Sequence, residues 1–207
     1  MKANSDKDKR LTVAVTGASG ALYAVRLLRY LMMHSYEVDF IVSDAGKITF
    51  KLEMNADLDQ EDISKFLKKR FGAPAMKGTI RTYRNDSISA PMASGSVRRL
   101  GMVIVPCSMK TLSAVAHSAS SNLIERSADV ALKERFPLII VPRETPMNSI
   151  QIENMLKLSQ AGAMIVPAMP AFYQKPQSLD ELADFIAGRV LNLLGIEDHQ
   201  LFKDWGH

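Results

Sequence analysis

The stretch LTVAVTGASGALYAVRLL, residues 11–28, decides the fold. Leu11–Val15 is an apolar run of strand type, Thr16–Gly20 breaks it, and from Ala21 onward apolar residues recur at helical spacing. A strand turning through glycine into a helix opens a βαβ unit. Its turn offers backbone N–H groups at a helix amino terminus, a ready site for a phosphate or a flavin edge. The dinucleotide fingerprint asks for three glycines. Only Gly17 and Gly20 are present, with Tyr23 where a third is expected. A tight turn with no ligand explains the same residues.

The pattern repeats outward. EVDFIVS (37–43) reads as a second strand after a helix over Ala21–His34. MVIVP (102–106), LIIVP (138–142) and AMIVP (163–167) are continuous apolar runs, the mark of strands buried on both faces. Each ends in proline, which has no N–H to donate and is tolerated where a ladder stops. Helices are expected from about Lys110, over Asn122–Glu134, over Ser149–Ala161, and from Ser178 to about Leu194. Ser178 and Glu181 have the spacing of a capping box. Residues 57–96 are less regular, with a helix over Gln60–Arg70 and a short strand over Thr79–Tyr83.

Strands alternating with helices predict an α/β fold: an open, doubly wound, mainly parallel sheet in a flavodoxin-like or Rossmann-like three-layer sandwich. Residues 1–10 read as a flexible, solvated leader and 11–207 as a single domain. In such folds ligands sit beyond the carboxyl ends of the strands. Gly17–Gly20, Ser43–Asp44, Cys107–Thr111, Arg143–Pro146 and Ala168–Tyr173 should therefore converge.

Composition narrows the function classes. The 207 residues are 47% hydrophobic and 23% charged, with a net charge of +4 and no run of five or six basic residues that would form a nucleic-acid tail. One cysteine, Cys107, excludes an internal disulfide and suits a reducing cytoplasm, the expected location. His34, His117, His199 and His207 have no zinc-ligand spacing, so no metal is expected. No apolar run approaches the length of a membrane span, and the leader lacks the apolar core of a signal peptide.

Several loops carry polar chemistry. Asp44 ends the second strand where a dehydrogenase would hold a ribose, but no Tyr-x-x-x-Lys pair exists, which weighs against a short-chain reductase. In PCSMKT (106–111), Ser108 and Thr111 stand at a helix start, where they can cap the helix or bind a polar ligand. Cys107 beside them reads as a buried structural thiol. ASGS (93–96) is a small-residue turn suited to close approach by a ligand or another chain, or simply a flexible loop. VPRET (141–145) puts Arg143 and Glu144 directly after a buried strand. They form either a phosphate-binding cation with a proton-moving carboxylate, or a local salt bridge at the sheet rim. Arg126 and Lys133, seven apart on one amphipathic helix, share a side and could together meet an anion. Trp205 in the tail reads as a packing residue.

Together, TGASGA, ASGS, PCSMKTLSAVAHS, LIERSADVALKERFPLIIVPRETP, NMLKLSQAGAMIVPAMPAFYQKPQS and the terminal FKDWG resemble the flavin prenyltransferase (UbiX) family over nearly the whole chain from Leu11. The resemblance implies a flavodoxin-like subunit in a dodecamer with active sites shared between subunits. It implies transfer of a dimethylallyl group from dimethylallyl phosphate to N5 and C6 of reduced FMN, without a metal. The product, prenylated FMN, would serve UbiD-type decarboxylases of ubiquinone synthesis or aromatic acid metabolism. On matching positions it implies FMN contacts at Gly17, Ala18, Ser19, Ser43, Ser108, Met109, Lys110, Thr111 and Arg143. Prenyl-phosphate contacts fall on Tyr173 and Arg189, with Lys133 and Arg126 near the phosphate. Ser19, Glu53 and Glu144 match residues of the chemistry, with Glu144 as base for the proton lost at C6. Ile88 departs from the pattern, since some relatives carry tryptophan there.

The residue types suit this reaction. Ionising an allylic phosphate calls for Arg, Lys, Tyr and Ser donors around the departing anion, and the allyl cation must be kept from water. Rival readings are an FMN-dependent cysteine-type decarboxylase, whose Pro-x-Met-Asn element Pro146–Asn148 echoes, a direct aromatic acid decarboxylase, which the lack of metal-ligand spacing disfavours, and a non-catalytic FMN carrier. The first also needs a catalytic histidine, and only His117 lies centrally, inside a helix pattern.

Overall fold

Arg10, rather than Leu11, opens the first strand of the computed structural model, which describes residues 9–202. The strand β1 (Arg10–Val15) thus begins one residue inside the stretch read as leader. Arg10 donates both Nε and a terminal nitrogen to the Asp39 carboxylate, at 2.8 and 2.9 Å. Residues 1–8 of the leader and Trp205 lie outside the described residues.

Helix α1 (Ala21–Met33) leads to β2 (Glu37–Val42), then α2 (Asp44–Met54), α3 (Ile63–Phe71) and β3 (Thr79–Arg84). The second half runs β4 (Met102–Cys107), α4 (Met109–Ala116), α5 (Leu123–Lys133), β5 (Leu138–Pro142), α6 (Ser149–Gln160), β6 (Met164–Ile165) and α7 (Leu179–Leu193). All six strands pair in parallel, in the order β3-β2-β1-β4-β5-β6. This is the doubly wound order of the Rossmann type.

The apolar runs are buried on both faces, as their composition requires. Val13, Val15, Phe40, Val42, Val103, Val105 and Val141 pack under α1, α3 and α7. The alternate residues Ala14, Ile41, Met102, Ile104 and Ile140 pack under α4, α5 and α6. Period-two alternation thus feeds two cores, making three layers. Arg26, buried in α1, ties that helix to α7 through Asp184 and Asp180.

Four local expectations change. α2 is an additional helix: its exposed face carries Ile48 and Leu52 and only Gly46 and Phe50 are buried, so no apolar stripe marks the core side. β4 continues past Pro106 to Cys107, with a register shift against β5. AMIVP supplies only a two-residue strand, half-buried at the sheet edge. Ser178 caps α7 by accepting from the Glu181 amide, but the Glu181 carboxylate accepts from Gln177 N, not from Ser178, so the capping box is displaced by one residue. A complete box forms instead between Asn148 and Gln151 at α6.

Candidate active site

The sheet order reverses between β1 and β4, so the chain leaves these neighbouring strands in opposite directions and a crevice opens at their carboxyl ends. Thr16 stitches the crevice floor. Its hydroxyl donates to the Pro106 carbonyl at 3.0 Å and accepts from the Ser108 amide at 2.7 Å. The Arg143 amide donates to the Cys107 carbonyl, bringing the loop after β5 alongside. The Arg143 side chain then reaches across the crevice, its Nε donating to the Ser19 carbonyl at 3.2 Å.

The two glycines of the first turn have structural reasons. Gly20 sits at φ +113°, the left-handed region. At Gly17 a Cβ would fall 2.5 Å from that of Ala45, so glycine lets the start of α2 close on the turn. The Gly20 and Ala21 amides at the amino end of α1 are not open to a phosphate. The Glu53 carboxylate takes both, at 2.9 Å to Gly20 and 2.8 Å to Ala21. An anion at a helix amino terminus is favourable, and here the chain supplies it from the end of α2. Glu53 thus enters the site through an element whose apolar residues gave no inward signal. Ser43 as N-cap and Asn55 in the left-handed region at its other end are the marks that delimit α2.

The other loop residues divide between local and outward roles. Ser43 Oγ accepts from the Gly46 amide, and Ser108 Oγ accepts from the Thr111 amide while donating to Thr111 Oγ1 at 3.2 Å. Capping therefore accounts for both serines. Arg143 and Glu144 do not form the rim salt bridge. Arg143 bonds Ser19 and Glu144 accepts from the adjacent Thr145 amide. The terminal nitrogens of Arg143, the Ser19 hydroxyl and the Lys110 ammonium make no hydrogen bond or ion pair among the described residues. Arg143, Glu144 and Met109 line a shallow cavity of about 50 Å³ with Pro142, Met147 and Ala168. Sites that enclose small ligands run to roughly 300–1,000 Å³, so this cavity by itself encloses none.

Cys107 is fully buried, and burial pushes its thiol far above the ordinary range, leaving it neutral. His117 ends α4 with its ring nitrogen on the Ser113 carbonyl, away from the crevice loops. Among the described residues no group of three or more His, Cys, Asp or Glu side chains could hold a metal ion.

The expected prenyl-phosphate residues are not all at the crevice. Lys133 ends α5, just before the turn into the amino end of β5. That is five strand residues, roughly 16 Å, from the carboxyl edge where Arg143 follows. The neighbouring Glu134 side chain lies over Gly95, so the ASGS turn and the Lys133 corner meet. Arg126 is exposed on the first turn of α5. Tyr173 lies ahead of α7, its ring edge-on to Phe185 at 6.3 Å, and the exposed Arg189 follows Phe185 by one helical turn. Ile88 is exposed in the loop after β3.

The Flavoprotein family model matches residues 1–191. The flavin prenyltransferase UbiX of Pseudomonas aeruginosa is 50% identical over 200 residues, covering 96% of this chain and 94% of that protein. The chain belongs to the UbiX flavin prenyltransferase family. Its curated members are named flavin prenyltransferases, and solved structures share the fold. The crystal structure of AnUbiX (PadA1) in complex with FMN and dimethylallyl pyrophosphate has a TM-score of 0.84 at 36% identity, covering 97% of this chain and 98% of that one. The dodecameric FMN-dependent UbiX-like decarboxylase from Escherichia coli O157:H7 has a TM-score of 0.82 at 34% identity, covering 96% and 100%.

Proposed function

We propose that this UbiX-family chain transfers a dimethylallyl group from dimethylallyl phosphate to N5 and C6 of reduced FMN, and that a UbiD-type decarboxylase receives the product. The observation that carries this reading is the crevice between β1 and β4. There Arg143 is anchored to Ser19 through Nε and keeps its two terminal nitrogens for a ligand, with Glu144 beside it. The donor set suits FMN: hydroxyls, amides and a guanidinium on Gly17–Ser19, Ser43, Ser108–Thr111 and Arg143. When bound, the reduced flavin supplies nucleophilic positions at N5 and C6.

The chain's own residues do the rest. As the allylic C–O bond breaks, the departing phosphate is stabilised by Arg143 together with Tyr173, Arg189, Lys133 and Arg126. With the flavin bound, closing the new ring would add one proton to the dimethylallyl double bond and remove one from C6, and Glu144 is placed to move that proton. Glu53 holds the Ser19 turn in place through the α1 amides.

Separation of Lys133 from Arg143, and the small size of the cavity beside Arg143 and Glu144, support a site completed by neighbouring copies in a dodecamer. Exposed apolar residues fit such an assembly: Ile48 and Leu52 on α2, Ile150, Ile152 and Leu156 on α6, and Phe172 beside Tyr173. We place the reaction in the cytoplasm. Activation of an apo UbiD-type decarboxylase tests the reading. Incubation of this protein with reduced FMN and dimethylallyl phosphate should yield a small-molecule filtrate that activates the apo-decarboxylase. A filtrate that leaves it inactive contradicts the proposal.

A further inference from the structure

Tyr23 stands in the first turn of α1, and its ring lies over the α-carbon of Gly20. A Cβ built on Gly20 would fall 2.6 Å from ring atoms Cδ2 and Cε2. Gly20 gives its amide to Glu53, and the preceding carbonyl, that of Ser19, takes the bond from Arg143. The ring therefore sits between the groups that close the crevice turn. Both charges reach the phenol. Burial raises its titration above the ordinary value, Arg143 pulls it down and Glu53 pushes it up. The phenol stays protonated at neutral pH and is a donor.

That donor is idle within the chain. The Tyr23 hydroxyl makes no hydrogen bond among the described residues, although the side chain is half-buried. The hydroxyl is not a buried atom, so it stays open at the crevice, and a residue needed only to cover Gly20 would require no hydroxyl. The Glu53 oxygens are engaged by backbone amides, and Arg143 has no acceptor to offer. The open phenol can therefore donate to an acceptor brought by a ligand, and the Arg143 guanidinium beside it favours an anion there.

We propose that Tyr23 is a further substrate-contacting residue, its phenol donating a hydrogen bond to a phosphate oxygen held beside Arg143. The proposal rests on the function argued above. It leaves two sources for that oxygen, the flavin phosphate and the prenyl phosphate.

Tyr23→Phe keeps the ring on Gly20 and removes only the donor. In the full-length assembled protein, three quantities are compared with wild type: the Kd for FMN by flavin fluorescence, the KM for dimethylallyl phosphate, and the Ki of inorganic phosphate. A hydrogen bond to an anion makes the expected loss roughly tenfold or more, with an unchanged melting temperature. A rise in KM and in the phosphate Ki assigns the contact to the prenyl donor, and a rise in the FMN Kd assigns it to the flavin. No change in any of the three overturns the proposal. If wild type forms no product, the functional reading fails, while FMN binding still tests Tyr23 on its own.

Discussion

Glu53 and Gly20 form the bond on which the crevice turn rests: both oxygens of the carboxylate meet the Gly20 amide, at 2.9 and 3.1 Å. The same carboxylate takes the Ala21 amide, so one side chain from α2 closes the amino end of α1. The turn that carries Ser19 is thereby held from within the chain.

Removing that closure should separate stability from activity. Glu53→Ala leaves two amides without their anion and should cost about 0.5–2 kcal/mol, the usual worth of a lost cap. Glu53→Gln keeps an acceptor and should retain most of that stability. Thermal unfolding measures the first effect. If Glu53 also acts in the chemistry, product formation by Glu53→Gln falls further than its stability does.

Glu144→Gln should bind FMN as wild type does yet stall before the finished product. The amide cannot accept the proton that leaves C6. An anaerobic single-turnover assay reads this directly, and unchanged product formation would remove Glu144 from that role.

Tyr173→Phe and Arg189→Ala should weaken use of the prenyl phosphate and spare the flavin. Loss of one donor to an anion corresponds to a rise in KM of roughly tenfold or more. Collapse of flavin retention in either variant would show that the site is divided differently.

Cys107 should be inert in the folded protein. Burial raises its pKa, so the thiolate needed for reaction is scarce at neutral and mildly alkaline pH. A thiol reagent should label it only under denaturing conditions. Rapid labelling of native protein at pH 8 would contradict the burial of β4.

The fold was largely legible because its strands are apolar on both faces. MVIVP and LIIVP leave no doubt about burial, and parallel order follows from the helices between them. α2 was not, because Ile48 and Leu52 face outward and its periodicity points away from its own core. With α2 went any unaided signal for Glu53. Arg143 and Glu144 were legible from their position after β5, whereas Lys133 and Arg189 are exposed helix charges with no inward mark. Their meaning came only with the resemblance to relatives. TGASG was misleading in one respect: it reads as an open anion cradle, and an internal carboxylate already fills it.

Prenyl transfer to the flavin is read directly by mass. Purified protein is incubated without oxygen with reduced FMN and dimethylallyl phosphate, and the released flavin is weighed by mass spectrometry. Released flavin heavier by one prenyl unit is the expected result; in Glu144→Gln that mass is retained but the ring at C6 stays open, which the flavin absorbance spectrum distinguishes. Recovery of unmodified FMN alone, from protein shown to bind it, would rule out prenyl transfer.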